Sequence, residues 1–256
     1  MQDSLNKADL QDVPKYIKSI IKYTFIFEGL GTLLFCIRLI PMYGFTSGLF
    51  KAFFLSVSAF CNAGLDNFSQ SSLIPYNTDP ILNIGVALLI ITGGLGFAVW
   101  FDLTKGFTTK FKMKTSFKQM FNHFSLHSKV VLTVTSILLG LGTLLFFIIE
   151  YNNPNTIANN SFLGKVLISF FQSTTLRTAG FSSINIGSCR TATLLIMCLW
   201  MLIGGSPGGT AGGIKTTSFT VLVLSIVSAF KNTGDHYRVF KREIPKIYNN
   251  TCCISG

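Results

Sequence analysis

The chain has 256 residues, of which 49% are hydrophobic and only 12% are charged. Because a soluble domain of average composition carries about 25% charged residues, this composition excludes an ordinary soluble protein and predicts an all-α membrane protein in contact with a lipid bilayer. A net charge of +11 would also suit a nucleic-acid-binding protein. The positions of the basic residues, described below, argue against nucleic acid as a partner.

Four apolar segments approach the roughly 20 residues that a helix needs to cross a bilayer. They are residues 16–40, 81–101, 130–149 and 191–230, the last of them interrupted at Gly204. Two shorter apolar stretches, 48–61 and 164–176, are too short to cross and predict re-entrant pore helices. We therefore expect two repeated units of membrane helix, pore loop and membrane helix, with the last span broken by a Gly-rich intramembrane loop.

The basic residues cluster before the first span, between the two units and after the last span. In a four-span protein these three regions lie on one side, which the positive-inside rule assigns to the cytoplasm together with both termini. The expected organisation is a cytoplasmic N-terminal segment (1–15), a first pore-loop unit (16–104), a basic cytoplasmic connector (105–128), a second pore-loop unit (129–231) and a cytoplasmic C-terminal segment (232–256). Membrane topology thus explains the net charge without nucleic acid.

Each predicted pore helix ends just before a short element that contains glycine, NAGL at 62–65 and TAGF at 178–181. A cation that leaves water needs replacement oxygens, which backbone carbonyls supply without a fixed charge. Glycine reaches the unusual dihedrals that such a loop requires, and the C-terminal end of a short helix attracts a cation. Although an ordinary turn would explain either element alone, two elements at matching positions favour a selectivity filter. The potassium-channel string TVGYG is absent from the sequence.

The segment MLIGGSPGGTAGGIKTTSF (201–219) cannot sustain a helix, because it combines six glycines with a proline. Irregular backbone at membrane depth is tolerated only inside protein or beside water, so this loop could obstruct a pore and act as a gate. Two alternatives stay open. One is a nucleotide P-loop, which Ile214 disfavours because it separates Gly213 from Lys215. The other is a hairpin loop at the cytoplasmic surface.

Three strings together resemble the membrane subunit of the Trk/Ktr/HKT superfamily of potassium transporters, and the bacterial Ktr-type membrane subunit most closely. They are SAFCNAGLD (58–66), TTLRTAGFSSI (174–184) and IGGSPGGTAGGIKTT (203–217). Members of that family have four pore-loop units around one pore, and the resemblance makes residues 16–104 the second unit and 129–231 the third. It implies uptake of potassium across a bacterial cell membrane by a multi-pass protein.

The resemblance also implies roles for individual residues. Carbonyl groups of the filter would come from Asn62, Ala63, Gly64, Thr178, Ala179 and Gly180. Leu65 and Phe181 would pack behind the filter. Independently of the resemblance, the charge of Arg177 beside the second element predicts that it braces the loop by bonding to carbonyl groups or to Glu150, with a position facing the outer vestibule as the alternative. The gating loop would comprise Gly204, Gly205, Ser206, Pro207, Gly208, Gly209, Thr210, Ala211, Gly212, Gly213 and Lys215.

The same resemblance implies partners. They are a cytosolic nucleotide-binding regulatory subunit and a second membrane subunit, or an assembly with the two missing pore units. Potassium would be the substrate and sodium a modulator, with no bound cofactor and no metal site beyond the transported potassium. A truncated or split-gene fragment that inserts without conducting alone is the alternative. An enzyme is not expected, because the sequence offers no catalytic constellation and no paired-carboxylate site.

Overall fold

The computed structural model of the chain describes residues 13–68, 72–113 and 124–231, together with two short strands at 237–239 and 242–244. Most of the expected N-terminal segment, part of the basic connector and most of the C-terminal segment lie outside the described residues.

Eight α-helices make up most of the described chain, which confirms the predicted all-α membrane class. They are α1 (Val13–Tyr43), α2 (Phe45–Phe60), α3 (Pro80–Leu95), α4 (Phe97–Met113), α5 (Leu126–Glu150), α6 (Phe162–Thr175), α7 (Thr191–Met201) and α8 (Thr216–Lys231). Two 3-10 turns lie at Ile74–Tyr76 and Ile186–Ser188. The strands β1 (Tyr237–Val239) and β2 (Arg242–Ile244) pair antiparallel; the sequence analysis did not predict them.

Local capping signals set where several of the helices begin. Asp79 accepts hydrogen bonds at Oδ1 from the backbone N–H of Ile81, at 3.0 Å, and of Leu82 at the start of α3, and Pro80 occupies the first helical position. The hydroxyls of Ser125 and Ser161 accept from the third N–H after them at the starts of α5 and α6. These short polar side chains satisfy backbone donors that a helix leaves unpaired at its N-terminus.

Helices α1 and α5 are each long and apolar enough to cross a membrane, and α3 with α4 would form a third span if the bent pair counts as one. The span predicted over 81–101 is not straight. Helix α3 ends at Leu95, Gly96 adopts a φ of 83°, and α4 leaves at an angle of 97°. The fourth predicted span consists of the shorter helices α7 and α8, with irregular backbone between Met201 and Thr216.

The largest apolar core joins the two halves of the chain. Helices α1, α2 and α3 contribute most of it, and Phe171 of α6 and Phe181 beyond α6 complete it from the second half. Phe60, Phe171 and Phe181 are each at most 1% exposed. Because residues about 120 positions apart share this core, the ends of the two short helices α2 and α6 are held next to each other.

Candidate functional site

Two chain segments that follow the short helices α2 and α6 adopt matching backbone conformations. Asn62 and Thr178 have φ values of 52° and 65°, and two residues later Gly64 and Gly180 have φ values of 68° and 91°. Positive φ is uncommon for residues other than glycine. Its occurrence at equivalent positions of NAG and TAG gives both segments the same path, although their first residues differ.

The fold brings these two segments into direct contact. A Cβ atom added to Gly64 would lie 2.3 Å from the carbonyl oxygen of Ala179 and 2.8 Å from the Cα of Gly180. Glycine is therefore required at position 64 for two reasons, its left-handed conformation and the close approach of the other backbone. All six residues that the sequence analysis assigned to a filter thus lie together.

Hydroxyl groups in the last turns of α2 and α6 hold the two segments. Ser58 accepts a hydrogen bond from the N–H of Leu65 at 2.9 Å, and Thr175 donates to the carbonyl oxygen of Phe181 at 2.7 Å. Among the described residues, no donor bonds the carbonyl oxygens of Asn62, Ala63, Gly64, Thr178, Ala179 or Gly180. Six backbone acceptors are therefore available where the segments meet.

The residues expected behind the filter behave differently from each other. Phe181 is 1% exposed and packs in the main core, whereas the side chain of Leu65 is 62% exposed in the described chain. Its assignment to packing behind these segments is not supported by the described residues.

The Gly-rich segment between α7 and α8 folds back on itself through backbone hydrogen bonds. Gly204 N–H donates to Ile214 at 3.0 Å, Gly205 N–H to Gly212 at 3.3 Å, and Ile214 N–H to Leu202 at 2.9 Å. A Cβ atom on Gly204 would lie only 1.7 Å from the carbonyl oxygen of Gly212. The two arms therefore meet at a distance that no side chain would permit at position 204.

The bend between α3 and α4 receives this Gly-rich segment. The carbonyl oxygens of Gly93 and Gly94 accept from the N–H groups of Thr210 and Ser206 at 3.0 and 2.9 Å, and Phe97 N–H donates to Gly208 at 3.2 Å. A broken helix loses backbone hydrogen bonds at the break, and the Gly-rich segment replaces them. This exchange is the physical reason for the bend, and sequence reasoning missed it.

Side-chain hydrogen bonds join the Gly-rich segment to both of the segments that follow α2 and α6. Asn62 Nδ2 donates to Thr210 Oγ1 at 2.8 Å, and Gly212 N–H donates to Thr178 Oγ1 at 2.9 Å. Arg177, which is 3% exposed, donates from Nη2 to the carbonyl oxygen of Gly204 at 3.3 Å. Arg177 is thus bonded to the Gly-rich segment, and its bracing of the filter stays a prediction.

Glu150, the other partner considered for Arg177, is bonded elsewhere. Its carboxylate accepts from Asn153 Nδ2 at 2.6 Å, Thr156 Oγ1 at 2.7 Å and Arg190 N–H at 2.9 Å, and also from the hydroxyl of Thr193. Lys215 donates to the carbonyl oxygen of Ala211 at 2.8 Å within the Gly-rich segment. Both charged groups are therefore engaged within the second half of the chain.

Within the described part of the chain, no three His, Cys, Asp or Glu side chains converge to form a metal site. The available ligands at the meeting point of the two segments are neutral backbone oxygens. Such oxygens suit an alkali cation that sheds its hydration shell, and they offer no general acid or nucleophile.

Comparison with known proteins shows what this arrangement resembles. Residues 1–247 match the family model TrkH, described as cation transport protein. The chain is 36% identical over 244 residues to the Ktr system potassium uptake protein B of Bacillus subtilis (strain 168), covering 95% of this chain and 52% of that protein. It is also 36% identical over 231 residues to the potassium/sodium uptake protein NtpJ of Enterococcus hirae, covering 90% of this chain and 48% of that protein.

A solved structure has the same fold. The crystal structure of the potassium transporter TrkH from Vibrio parahaemolyticus matches with a TM-score of 0.74 at 16% identity, over 96% of this chain and 49% of that chain. The chain spans about half the length of the curated relatives that it matches. With the family model matched over nearly the whole chain, the protein belongs to the TrkH family of cation transport proteins, and it is not an enzyme.

Proposed function

We propose that this chain contributes part of a potassium-selective pathway across a bacterial cell membrane, with residues 62–64 and 178–180 as half of its filter. The observation that carries the proposal is the side-by-side contact of these two segments with six carbonyl oxygens that no described donor engages. Carbonyl oxygens in this number can replace part of the hydration shell of a potassium ion.

The surroundings of the six carbonyls favour a cation. Helices α2 and α6 both end just before the filter segments, so the negative ends of two helix dipoles lie beside them. Relatives that are 36% identical to this chain over the matched residues are named potassium uptake or potassium/sodium uptake proteins. These names support potassium as the substrate and agree with sodium as a modulator.

The Gly-rich segment, residues 204–215, is proposed as the gate. It bonds to Asn62 and to Thr178, and backbone hydrogen bonds, such as that from Gly205 N–H to Gly212, fold it back on itself. Its glycines allow the backbone to adopt other conformations, which suits a movable obstruction. Residues 16–104 and 129–231 are correspondingly proposed as the family's second and third pore-loop units.

The proposed assembly follows the family resemblance. Two such units supply half of a fourfold filter, so we expect this chain to act with the remaining pore units or with a second copy of itself. A cytosolic nucleotide-binding subunit would regulate it, and both termini would face the cytoplasm. No bound cofactor is needed for this activity.

Growth of a potassium-uptake-deficient bacterium at low potassium tests the proposal. The strain would express this chain alone, or together with the first and fourth pore-loop units of a relative, and Rb⁺ uptake would be measured alongside growth. Membrane insertion is verified by blotting, and a Gly29→Ala variant serves as a matched control because a Cβ atom there meets nothing within 4 Å.

Each outcome has a distinct meaning. Rescue by the chain alone would mean that copies assemble a complete pore, and rescue only with the added units would mean that the pore needs both parts. Confirmed insertion without rescue in either setting would overturn the proposal and favour a chain that inserts without conducting.

A further inference from the structure

Two consecutive residues beyond α6 bond the Gly-rich segment at the point where its two arms meet. Arg177 Nη2 donates to the carbonyl oxygen of Gly204 at 3.3 Å, and Thr178 Oγ1 accepts from the N–H of Gly212 at 2.9 Å. Gly204 and Gly212 belong to opposite arms, and a Cβ atom on Gly204 would lie 1.7 Å from the Gly212 carbonyl oxygen. We call Arg177 and Thr178 the clasp, because together they hold both arms.

Arg177 is a buried cation that meets no carboxylate among the described residues. Its side chain is 3% exposed, and its Nε atom is buried with no hydrogen-bond partner in the described chain. The ion pair of the described chain joins Arg38 and Asp79, and other donors engage the Glu150 carboxylate. The carbonyl oxygen of Gly204 is thus the acceptor that the described residues offer to this guanidinium.

The ends of two helices lie beside this charge. Arg177 follows the last turn of α6, where its backbone N–H donates to the carbonyl oxygen of Thr174 at 3.2 Å. Its acceptor Gly204 comes three residues after Met201, the last residue of α7. The C-terminal end of a helix carries partial negative charge and stabilises a cation. Helix ends therefore take the place of a carboxylate, and the end of α7 runs directly into the Gly-rich segment.

This arrangement makes the position of the Gly-rich segment depend on Arg177. If the segment detached, Gly204 would leave, whereas Arg177 would stay where the end of α6 holds it. A buried charge that loses its acceptor costs more than a neutral group in the same situation. The bond from Gly212 to Thr178 would be lost in the same movement. The clasp thus opposes detachment of a segment whose glycines leave its backbone free to move.

We propose that Arg177 and Thr178 are positioning residues for the gate: through both arms they hold the Gly-rich segment in its docked conformation. This inference rests on the proposed function in taking residues 204–215 as the gate. It adds that the second filter segment, and not the α3–α4 bend alone, determines how often the gate detaches.

Modification of a buried thiol measures detachment without depending on transport. Ser206 is fully buried and its N–H donates to the carbonyl oxygen of Gly94 at 2.9 Å, so the thiol of Ser206→Cys reacts only when the segment opens. Ser169→Cys is the matched reporter outside the segment. Ser169 is equally buried, and its hydroxyl bonds the carbonyl oxygen of Lys165 within α6.

The experiment uses membranes that contain the full chain with any partner it carries, in a background whose native cysteines are replaced by alanine. Reaction with N-ethylmaleimide is followed over time by mass spectrometry. Arg177→Met removes the charge and the donor at similar side-chain size, and Thr178→Val removes the acceptor. Arg177→Lys keeps the charge but loses the planar guanidinium.

We expect Arg177→Met to speed modification at position 206 about tenfold and Thr178→Val about fivefold, as loss of a charged and of a neutral hydrogen bond predicts. Arg177→Lys should react more slowly than Arg177→Met, and position 169 should keep its wild-type rate in all three variants. Arg190→Met and Thr220→Val are the matched controls. The described bond of Arg190 comes from its backbone N–H, and the Thr220 hydroxyl bonds the Thr216 carbonyl oxygen within its own helix.

A wild-type rate at position 206 in Arg177→Met or in Thr178→Val would overturn the inference. Equal acceleration at positions 206 and 169 would also overturn it, because it would show loosening of the whole fold. Failure of the proposed function is recognised separately, by confirmed insertion without uptake. A chain whose clasp controls modification at position 206 but which gives no rescue would keep the clasp and lose the transport proposal.

Discussion

Gly64 carries two constraints at one Cα atom. Its φ of 68° disfavours any side chain, and a Cβ atom would meet the carbonyl oxygen of Ala179 at 2.3 Å. We predict that Gly64→Ala abolishes potassium uptake, because it must push the two filter segments apart. Uptake of Rb⁺ by the complemented strain measures the effect.

Gly29→Ala provides the comparison for that variant, since position 29 is in a helix and has open space around a new Cβ atom. Helix propensity favours alanine there, so its uptake and membrane level should equal those of the wild type. Wild-type uptake by Gly64→Ala would show that the close contact is not needed.

Glu150 illustrates a buried charge whose described hydrogen-bond donors include no basic side chain. Four donors, from Asn153, Thr156, Arg190 and Thr193, surround its carboxylate, and the one from Arg190 is a backbone N–H. In Glu150→Gln, an NH₂ group would replace one of the two accepting oxygens. That NH₂ group cannot accept hydrogen bonds, so the donors that face it would lose their acceptor. We predict destabilisation of about 1–3 kcal/mol, measured as a lower thermal unfolding midpoint in detergent.

Asp66→Asn serves as the control for Glu150→Gln, because the Asp66 carboxylate accepts only one described bond, from Phe68 N–H at 3.3 Å. Its midpoint should change little. If both variants had the same midpoint as the wild type, the four-donor arrangement would not stabilise the loop between α5 and α7.

At the scale of elements, the bend between α3 and α4 and the Gly-rich segment depend on each other. Gly93 and Gly94 are neighbours in α3, and comparing them distinguishes a need for space around the Cα atom from a need for a flexible backbone. A Cβ atom on Gly93 would meet the Phe60 carbonyl oxygen at 2.0 Å, whereas one on Gly94 would lie 3.7 Å from the Ala211 Cβ atom, an ordinary contact.

We predict that Gly93→Ala destabilises the protein by about 1–3 kcal/mol through overpacking and lowers uptake, while Gly94→Ala leaves both near wild type. Both changes favour a helix equally, so helix propensity cannot explain a difference between them. Thermal unfolding and Rb⁺ uptake measure the two effects. Equal behaviour of the two variants would contradict the close docking at Gly93.

The sequence could predict those elements that depend on local patterns of apolar residues, but not those that depend on tertiary hydrogen bonds. The short helices α2 and α6 were predicted at 48–61 and 164–176, because a short apolar stretch before a polar glycine element leaves few alternatives. The break at Gly96 was missed because glycine is common within membrane helices. Its conformation depends on N–H groups of Ser206 and Thr210, a tertiary contact that hydropathy does not contain.

In the candidate site, too, local patterns could be predicted from the sequence and tertiary contacts could not. NAG and TAG could be paired from their positions in the chain, since each follows a short apolar stretch. The family resemblance implied a packing role for both Leu65 and Phe181, but only Phe181 is buried in the described chain. The bonds from Asn62 to Thr210 and from Arg177 to Gly204 join residues far apart in sequence, so no local pattern could reveal them.

For the whole molecule, the distribution of basic residues predicts which loops face the cytoplasm, and thiol labelling can test this orientation. We predict that Asn155→Cys, in the exposed loop after α5, reacts with a membrane-impermeant maleimide in intact cells. Lys105→Cys, exposed in the middle of α4, should react only after permeabilisation.

The labelling background lacks the other native cysteines but can keep Cys189. Burial, with a smaller contribution from the Glu150 charge, raises the pKa of the Cys189 thiol to about 12, so almost no reactive thiolate is present at pH 7. The reverse labelling pattern of positions 155 and 105 would place the connector outside the cell and overturn the proposed orientation.

The docking of the Gly-rich segment into the α3–α4 bend also has a consequence for biosynthesis. The carbonyl oxygens of Gly93 and Gly94 are satisfied by residues that the ribosome delivers about 110 positions later. Because an unsatisfied carbonyl in lipid costs several kcal/mol, we expect the bend to be unstable before the second half is synthesised. We therefore predict that the first half enters the bilayer as an unbent segment and bends only when the Gly-rich segment binds it.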